Sequence, residues 1–513
     1  MTVADTRSLR GRGGCEWGVG RPKQGRQWAL CESLERASGE GLSGRFALKF
    51  GLKWARTNRL DQPVGKRRDG SHGQSVHCRN VKPGPRPISV RPAVLNFNVL
   101  LSSHCPAHRH SPHMRTFVLI WCLLPVVMAQ AGEPPPFTPQ TLDAKAGEVC
   151  YAVTLADVDG DRREDVVVVT ENRVLWYHNP DWKMRVVIAD QTERDNVCIA
   201  PLDLDGDGLV EFALGAGWLN NRHLGTLYWL QRKESLDDSW SVRPIGRESW
   251  AHRIQWGDVL GTGTPQLILS PLNKTRGEGV RVLAFHRPDN LQSDLPWKTT
   301  VLDERLNGMH AHWTGDLDGN GETDLLTASA EGLFWFRRGS DGQLVRSRIS
   351  AGVEGDAPAA QKTGAGEVKV GRLAPDRVYI AAVEPMHGNL AVIYLQPLPS
   401  AAGAPADWER VVLDDTLGRG HAIWPSDLDR DGVDELVLGH SDKGTGDPAG
   451  PGVFVYSPDA AGKLWTKHVV DDGEVATEDL ISRDLTGDGW PEIVAVGRAT
   501  KNVRLYLNQG KKQ

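Results

Sequence analysis

The 513 residues carry a formal net charge of −5, a figure that averages two unlike parts. Residues 1–113 hold 20 Lys and Arg against 7 Asp and Glu, whereas the other 400 hold 40 against 58. That acidic main part has no phosphate loop, nucleotide fingerprint or Ser-His-Asp order, which points away from nucleic acid and nucleotides as partners.

In chain order, residues 1–113 are rich in Gly, Arg, Ser and His and show no sustained period of 2 or 3.6. A basic arm of this kind suits a nucleic-acid or acidic partner. The preferred reading is an untranslated or disordered upstream extension over 1–113. Met114 is the first methionine after Met1, and it is followed by Arg115, an apolar run from Phe117 to Met128 and Ala129-Gln-Ala131. That run is too short to cross a bilayer and reads as a secretory signal peptide over 114–131. The mature chain is then expected to start near Gly132 and to be secreted or periplasmic. No later run is apolar enough for a membrane span. Of seven cysteines only Cys150 and Cys198 follow this segment, at nearly the same place in two successive repeats. They are expected either to pair or to stay as buried thiols.

From there an acidic turn recurs, each copy running into an apolar strand. The copies start at 157, 203, 258, 316, 372, 427 and 484, a spacing of 46 to 58 residues. Such a period, with several short strands per unit, predicts an all-β, seven-bladed propeller. Blades are expected to begin near 150, 196, 251, 309, 365, 420 and 477. Each unit reads as an inner strand, the turn, an apolar second strand, an aromatic third strand such as Val174-Leu-Trp-Tyr177, and a short outer strand of alternating charge. The seventh unit lacks its fourth strand, and Phe137-Thr-Pro-Gln-Thr-Leu142 supplies the missing pattern. Residues 137–142 should therefore close the ring.

Four turns carry a full set of hard oxygen donors: Asp157/Asp159/Asp161/Asp165, Asp203/Asp205/Asp207/Glu211, Asp316/Asp318/Asn320/Asp324 and Asp427/Asp429/Asp431/Glu435. This is the donor chemistry Ca²⁺ selects, although Asp and Gly also serve turn geometry alone. The turns and blades, over about 143–513, resemble the FG-GAP/VCBS repeat family, which implies the propeller fold but no particular function.

Six residues before each turn stand Tyr151, Val197, His252, His310, Gly366, His421 and Glu478. These should ring the channel mouth opposite the turns. His252, His310, His421 and Glu478 are candidate ligands for Zn²⁺ or another divalent ion. Tyr151, His312, Glu384 and His387 are candidate proton movers. Loop residues Trp218, Asn221, Arg222, Lys274, Arg276, His440, Lys443 and Arg498 would line a funnel for a carbohydrate or other small polar ligand. The segments Ala251-His-Arg-Ile-Gln-Trp-Gly-Asp258, Met309-His-Ala-His-Trp-Thr-Gly-Asp316 and Gly420-His-Ala-Ile-Trp-Pro-Ser-Asp427 are similar to the aldos-2-ulose dehydratase propeller family. That resemblance implies a lyase or dehydratase acting on keto-sugars. A non-catalytic, calcium-stabilised propeller that binds carbohydrate or protein is the rival reading.

Overall fold

In every repeat the turn and the apolar run after it build one antiparallel hairpin. In the first, Cys150–Ala156 pairs with Asp165–Thr170, Ala156 opposite Asp165. The computed structural model describes residues 133–218, 225–275, 277–293, 295–353, 363–397 and 407–511. The segments 1–113 and 114–131 lie outside them. Among the described residues there are 28 strands and no helix, and the strands form seven four-stranded sheets. No helix there is long and apolar enough to cross a membrane.

The inner strands are Cys150–Ala156, Cys198–Leu202, Ala251–Gly257, Ala311–Gly315, Glu367–Ala374, Gly420–Ser426 and Thr477–Arg483. Each touches the next, and the last touches the first, so they enclose a central channel. The ring closes where the sequence predicts. Phe137–Asp143 is the outer strand of blade 7 and pairs with Val503–Asn508, Thr138 opposite Leu507.

Burial follows position in the blade. Second strands such as Asp165–Thr170 and Gln266–Pro271 are buried at every residue, because both faces of the sheet pack against neighbouring blades. Outer strands such as Leu344–Ser350 have no fully buried residue. Val166, Val168, Leu175 and Tyr177 of blade 1 interlock with Val494, Val496, Val503 and Leu505 of blade 7. Each such side chain contributes about 1.5–3 kcal/mol over its exposed state.

Third-strand tyrosines add a directional tie. Tyr177 donates to Asp143 (3.0 Å), Tyr456 to Asp414 (2.6 Å) and Tyr506 to Asp471 (2.7 Å), while the Tyr394 oxygen accepts from the Ser350 hydroxyl (2.9 Å). In each case the partner lies on the outer strand of the preceding blade. The aromatic third strand therefore fills the interface between blades and also pins its register. Cys150 and Cys198 are free, buried thiols, which excludes the disulfide alternative. Burial pushes both up to about 12.

Candidate functional site

The ring of polar residues has a backbone cause. In blades 1, 3, 6 and 7 the inner strand shifts register at its second residue. Ala251 pairs with Pro271 and Arg253 with Ser270, which leaves His252 between them without a ladder partner. The same shift isolates Tyr151, His421 and Glu478. A bulge re-aims the extra side chain out of the alternation of the strand. In blade 4, His310 directly precedes the inner strand.

Three histidines use one rule to set their rings. Nδ1–H of His252 donates to the His310 carbonyl (3.1 Å), that of His310 to the Gly366 carbonyl (3.1 Å) and that of His421 to the Glu478 carbonyl (2.5 Å). Each acceptor is the equivalent residue of the next blade. A carbonyl accepts only, so Nδ1 carries a proton in all three, and in a neutral ring Nε2 then keeps its lone pair. Burial, then neighbouring charge, pulls the pKa of His252 and His421 well below the usual imidazole range, so these rings are neutral donors. His310 Nδ1 also lies 2.7 Å from Oε1 of Glu367, a buried carboxylate that orients it.

The metal-competent set differs from the expected one. Donor nitrogens of His310, His387 and His421 lie within 4.8 Å of one another, and neither His252 nor Glu478 is in this group. His387 supplies the donor that blade 5 lacks on its inner strand, where the ring position is Gly366. It reaches in from the loop after Arg377–Glu384, with Nε2 3.0 Å from Nε2 of His310 and its ring stacked on His421 at 4.8 Å. Two lone pairs do not face each other at this distance without a proton or cation between them. Tetrahedral Zn–N bonds of 2.0–2.1 Å place nitrogens about 3.4 Å apart, close to this spacing. His387 also holds φ at 54°, a left-handed conformation that non-glycine residues adopt at a cost of order 1 kcal/mol. The donor set thus comes from blades 4, 5 and 6 in succession and fits a divalent transition metal.

Around this centre Tyr151 donates to Asp195 (3.2 Å), stands edge-on to Trp218 (6.2 Å) and lies under the Arg498 guanidinium (5.4 Å). Burial and then Asp195 push its phenol above the usual range, so it is a proton donor. Trp218 stands edge-on to His252 (5.2 Å). Glu478 binds Arg498 through Oε1 (2.5 Å), 3.6 Å from His421 Nε2, and its Oε2 has no partner among the described residues.

Three expected proton movers are placed otherwise. Glu384 is wholly buried and is bound by Arg410 Nη2 (2.6 Å) and by the Tyr394 hydroxyl, which commits it to the outer half of blade 5. His312 bonds Ser270 (2.8 Å) and is pulled down to about 3 by burial and then Lys369, so it stays neutral. His387, as above, joins the ligand set. Of the funnel residues, His440 is buried with Nδ1–H on the Asp442 carbonyl (2.9 Å) and its ring stacked on Phe454 (5.1 Å), so it packs within its blade. Lys274 is exposed and closes its own loop on Glu278 (3.0 Å), and Lys443 is exposed. Asn221, Arg222 and Arg276 lie outside the described residues. Sequence reading missed Glu367 and Asp195, although Glu367 directly follows the ring position of blade 5 and so carried a positional signal.

In the acidic turns the first Asp organises the backbone. Asp203 accepts from Gly206 (2.7 Å) and Gly208 (3.0 Å), and Asp316 from Gly319 and Gly321 (2.8 Å each). The carboxylate at the ninth place caps the turn, as Glu211 does for Leu204 (2.9 Å). Oxygen donors still converge in Asp203/Asp205/Glu211, Asp316/Asp318/Asp324 and Asp427/Asp429/Glu435. In blade 1 the group is Asp159/Asp161/His178, so Asp157 and Asp165 leave the expected set. The third-place residues Asp207, Asn320 and Asp431 instead bond the N–H two residues on, at 2.8, 2.7 and 2.8 Å. Burial, then neighbouring groups, raises Glu211 to about 7 and Glu435 to about 8. Blade 3 shows the alternative: Gln266 stands at the ninth place and donates its amide to Asp258 (2.8 Å).

Residues 224–397 match the family described as aldos-2-ulose dehydratase, beta-propeller domain, and residues 157–214 match the FG-GAP-like repeat. Aldos-2-ulose dehydratase of Phanerodontia chrysosporium is 28% identical over 253 residues, covering 45% of this chain and 27% of that protein. The match thus spans little more than a quarter of the relative. Two solved structures are similar at low TM-scores. One is an Agrocybe aegerita lectin described as recognising non-reducing terminal N-acetylglucosamine (TM-score 0.43, 15% identity, 70% of this chain and 91% of that one). The other is BBS1N in complex with ARL6DN (0.44, 12%, 74% and 98%). The chain is a seven-bladed β-propeller that carries an FG-GAP-like repeat and is similar, from its second blade to its fifth, to the propeller domain of aldos-2-ulose dehydratase.

Proposed function

We propose that this propeller is a sugar-processing lyase that removes water from keto-sugars at the histidine mouth of its channel. The observation that carries this reading is the convergence of His310, His387 and His421, with Nδ1–H of His310 and His421 held by backbone carbonyls. These residues would hold a divalent ion such as Zn²⁺, which when bound would polarise a substrate carbonyl. Loss of water beside a carbonyl also needs a base for the α-proton and an acid for the departing hydroxyl. Glu478, through its unpartnered Oε2, is the proposed base. Tyr151, kept protonated by burial and by Asp195, is the proposed acid. The proton balance closes, since Glu478 gains the α-proton and Tyr151 gives one to the hydroxyl that leaves as water. Trp218 and Arg498 would offer a stacking face and a hydroxyl contact.

We further propose Ca²⁺ in the turns of blades 2, 4 and 6, as a stabiliser remote from the chemistry. An extracytoplasmic setting is proposed from the apolar segment 117–128 alone. The test is elemental analysis of the full chain beside its His310→Ala and His421→Ala variants, with keto-sugars screened for the ultraviolet absorbance of the dehydrated enone. A transition metal lost in both variants, with calcium retained and enone formation abolished, is expected. Calcium alone, unchanged by either substitution, would overturn the lyase reading in favour of a binding propeller.

A further inference from the structure

Between the histidine ring and the acidic turns the channel widens into a cavity of about 470 Å³, bounded by inner strands of all seven blades. None of His310, His387 or His421 lines it. Its wall carries three partly buried tryptophans, Trp256, Trp313 and Trp424, from blades 3, 4 and 6. Its floor carries Arg253, Glu367, Lys369 and Asp479.

Three of these four charged groups have protein partners. Arg253 lies 3.5 Å from Glu367, which also takes His310, and Asp479 accepts the N–H groups of Val153 (3.0 Å) and Leu480 (3.1 Å). Lys369 has no hydrogen bond or ion pair among the described residues. Its Nζ stands 5.1 Å over the ring of Trp424. Burial pulls the ammonium below its usual range, and the charges of Glu367 and Asp479 offset this only in part. A carboxylate in the cavity would give the ammonium a hydrogen-bonded partner, and a dianionic phosphate would meet about twice the repulsion from Glu367 and Asp479 that a carboxylate does. Indole faces suit the C–H face of a pyranose, and the volume suits a sugar of one or two rings.

We propose that this cavity is a binding site for a monoanionic sugar acid of the hexuronate class, its ring against the indoles and its carboxylate on Lys369. The site shares only Glu367 with the surroundings of the proposed metal centre and does not depend on that reading. Titration calorimetry of the full chain with D-glucuronate, D-galacturonate and their neutral parents D-glucose and D-galactose tests it. At least one uronate should bind about tenfold or more tighter than its neutral parent, the worth of one charge-assisted bond. Lys369→Met, which keeps the apolar stem, should erase that preference, and His421→Ala should leave it intact. No uronate preference in the wild-type chain would overturn the proposal whatever the variants do. So would a preference lost in His421→Ala but kept in Lys369→Met, which would put the carboxylate at the histidines.

Discussion

Glu384→Gln separates a structural carboxylate from a chemical one. Glu384 is fully buried, and Oε2 takes two N–H groups of Arg410 at 3.2 and 2.6 Å while Oε1 takes the Tyr394 hydroxyl. Breaking a buried ion pair by removing one partner costs about 3–5 kcal/mol. Two features reduce this here. The Arg410 side chain is 33% exposed and can return part of its charge to water, and the new amide keeps an oxygen for Tyr394. The expected loss is about 2 kcal/mol, read as a lower urea midpoint with an unchanged slope. Adding Arg410→Met should recover part of it, because the unpaired guanidinium is then gone. Metal content and any sugar conversion should survive. A variant with a wild-type midpoint and no activity would refute this and restore Glu384 to the chemistry.

Glu367→Gln should weaken metal binding by about 10- to 100-fold in chelator competition, because the carboxylate that orients His310 is lost. His252→Ala should change it less, and the reverse order would remove His252 from its outer place. Asp479 is raised to about 6 by burial, against an ordinary value of 3.8. A raised folded-state pKa gives stability that is present below about 3.8 and lost as pH rises through 6, on the order of 3 kcal/mol. Asp479→Asn should flatten unfolding midpoints across that window, and an unchanged pH profile would contradict it. Removing divalent ions with a chelator at neutral pH should lower the thermal midpoint, and Ca²⁺ should restore it. In Glu211→Gln that recovery should shrink, and full recovery would exclude the blade 2 turn as a contributor.

The fold was legible because its signal repeats. Seven turns at near-constant spacing, each with an aromatic strand behind it, specify blade number, strand order and closure by residues 137–142 without any knowledge of distant contacts. The ring of Tyr151, His252, His310, His421 and Glu478 was legible for the same reason, as one register position in successive copies. What failed lay off the repeat. His387 sits on a loop whose reach depends on a left-handed residue, and spacing says nothing about that. Glu384 and His440 close second strands, where alternation and neighbouring outer strands decide which way a polar group turns. Glu367 orients a histidine of another blade, a relation visible only once blades 4 and 5 are side by side.

The bulges at the head of the inner strands have a consequence for how such a molecule can change. Tyr151, His252, His421 and Glu478 stand outside the ladder, so exchanging one of them disturbs no cross-strand pairing and shifts no neighbour in its strand. Selection can therefore rewrite the mouth one residue at a time, while the blades that carry it stay under a separate and stricter constraint. The mixture of Tyr, Val, His, Gly and Glu at a single repeat position, on blades otherwise alike, is the record such a division of labour would leave.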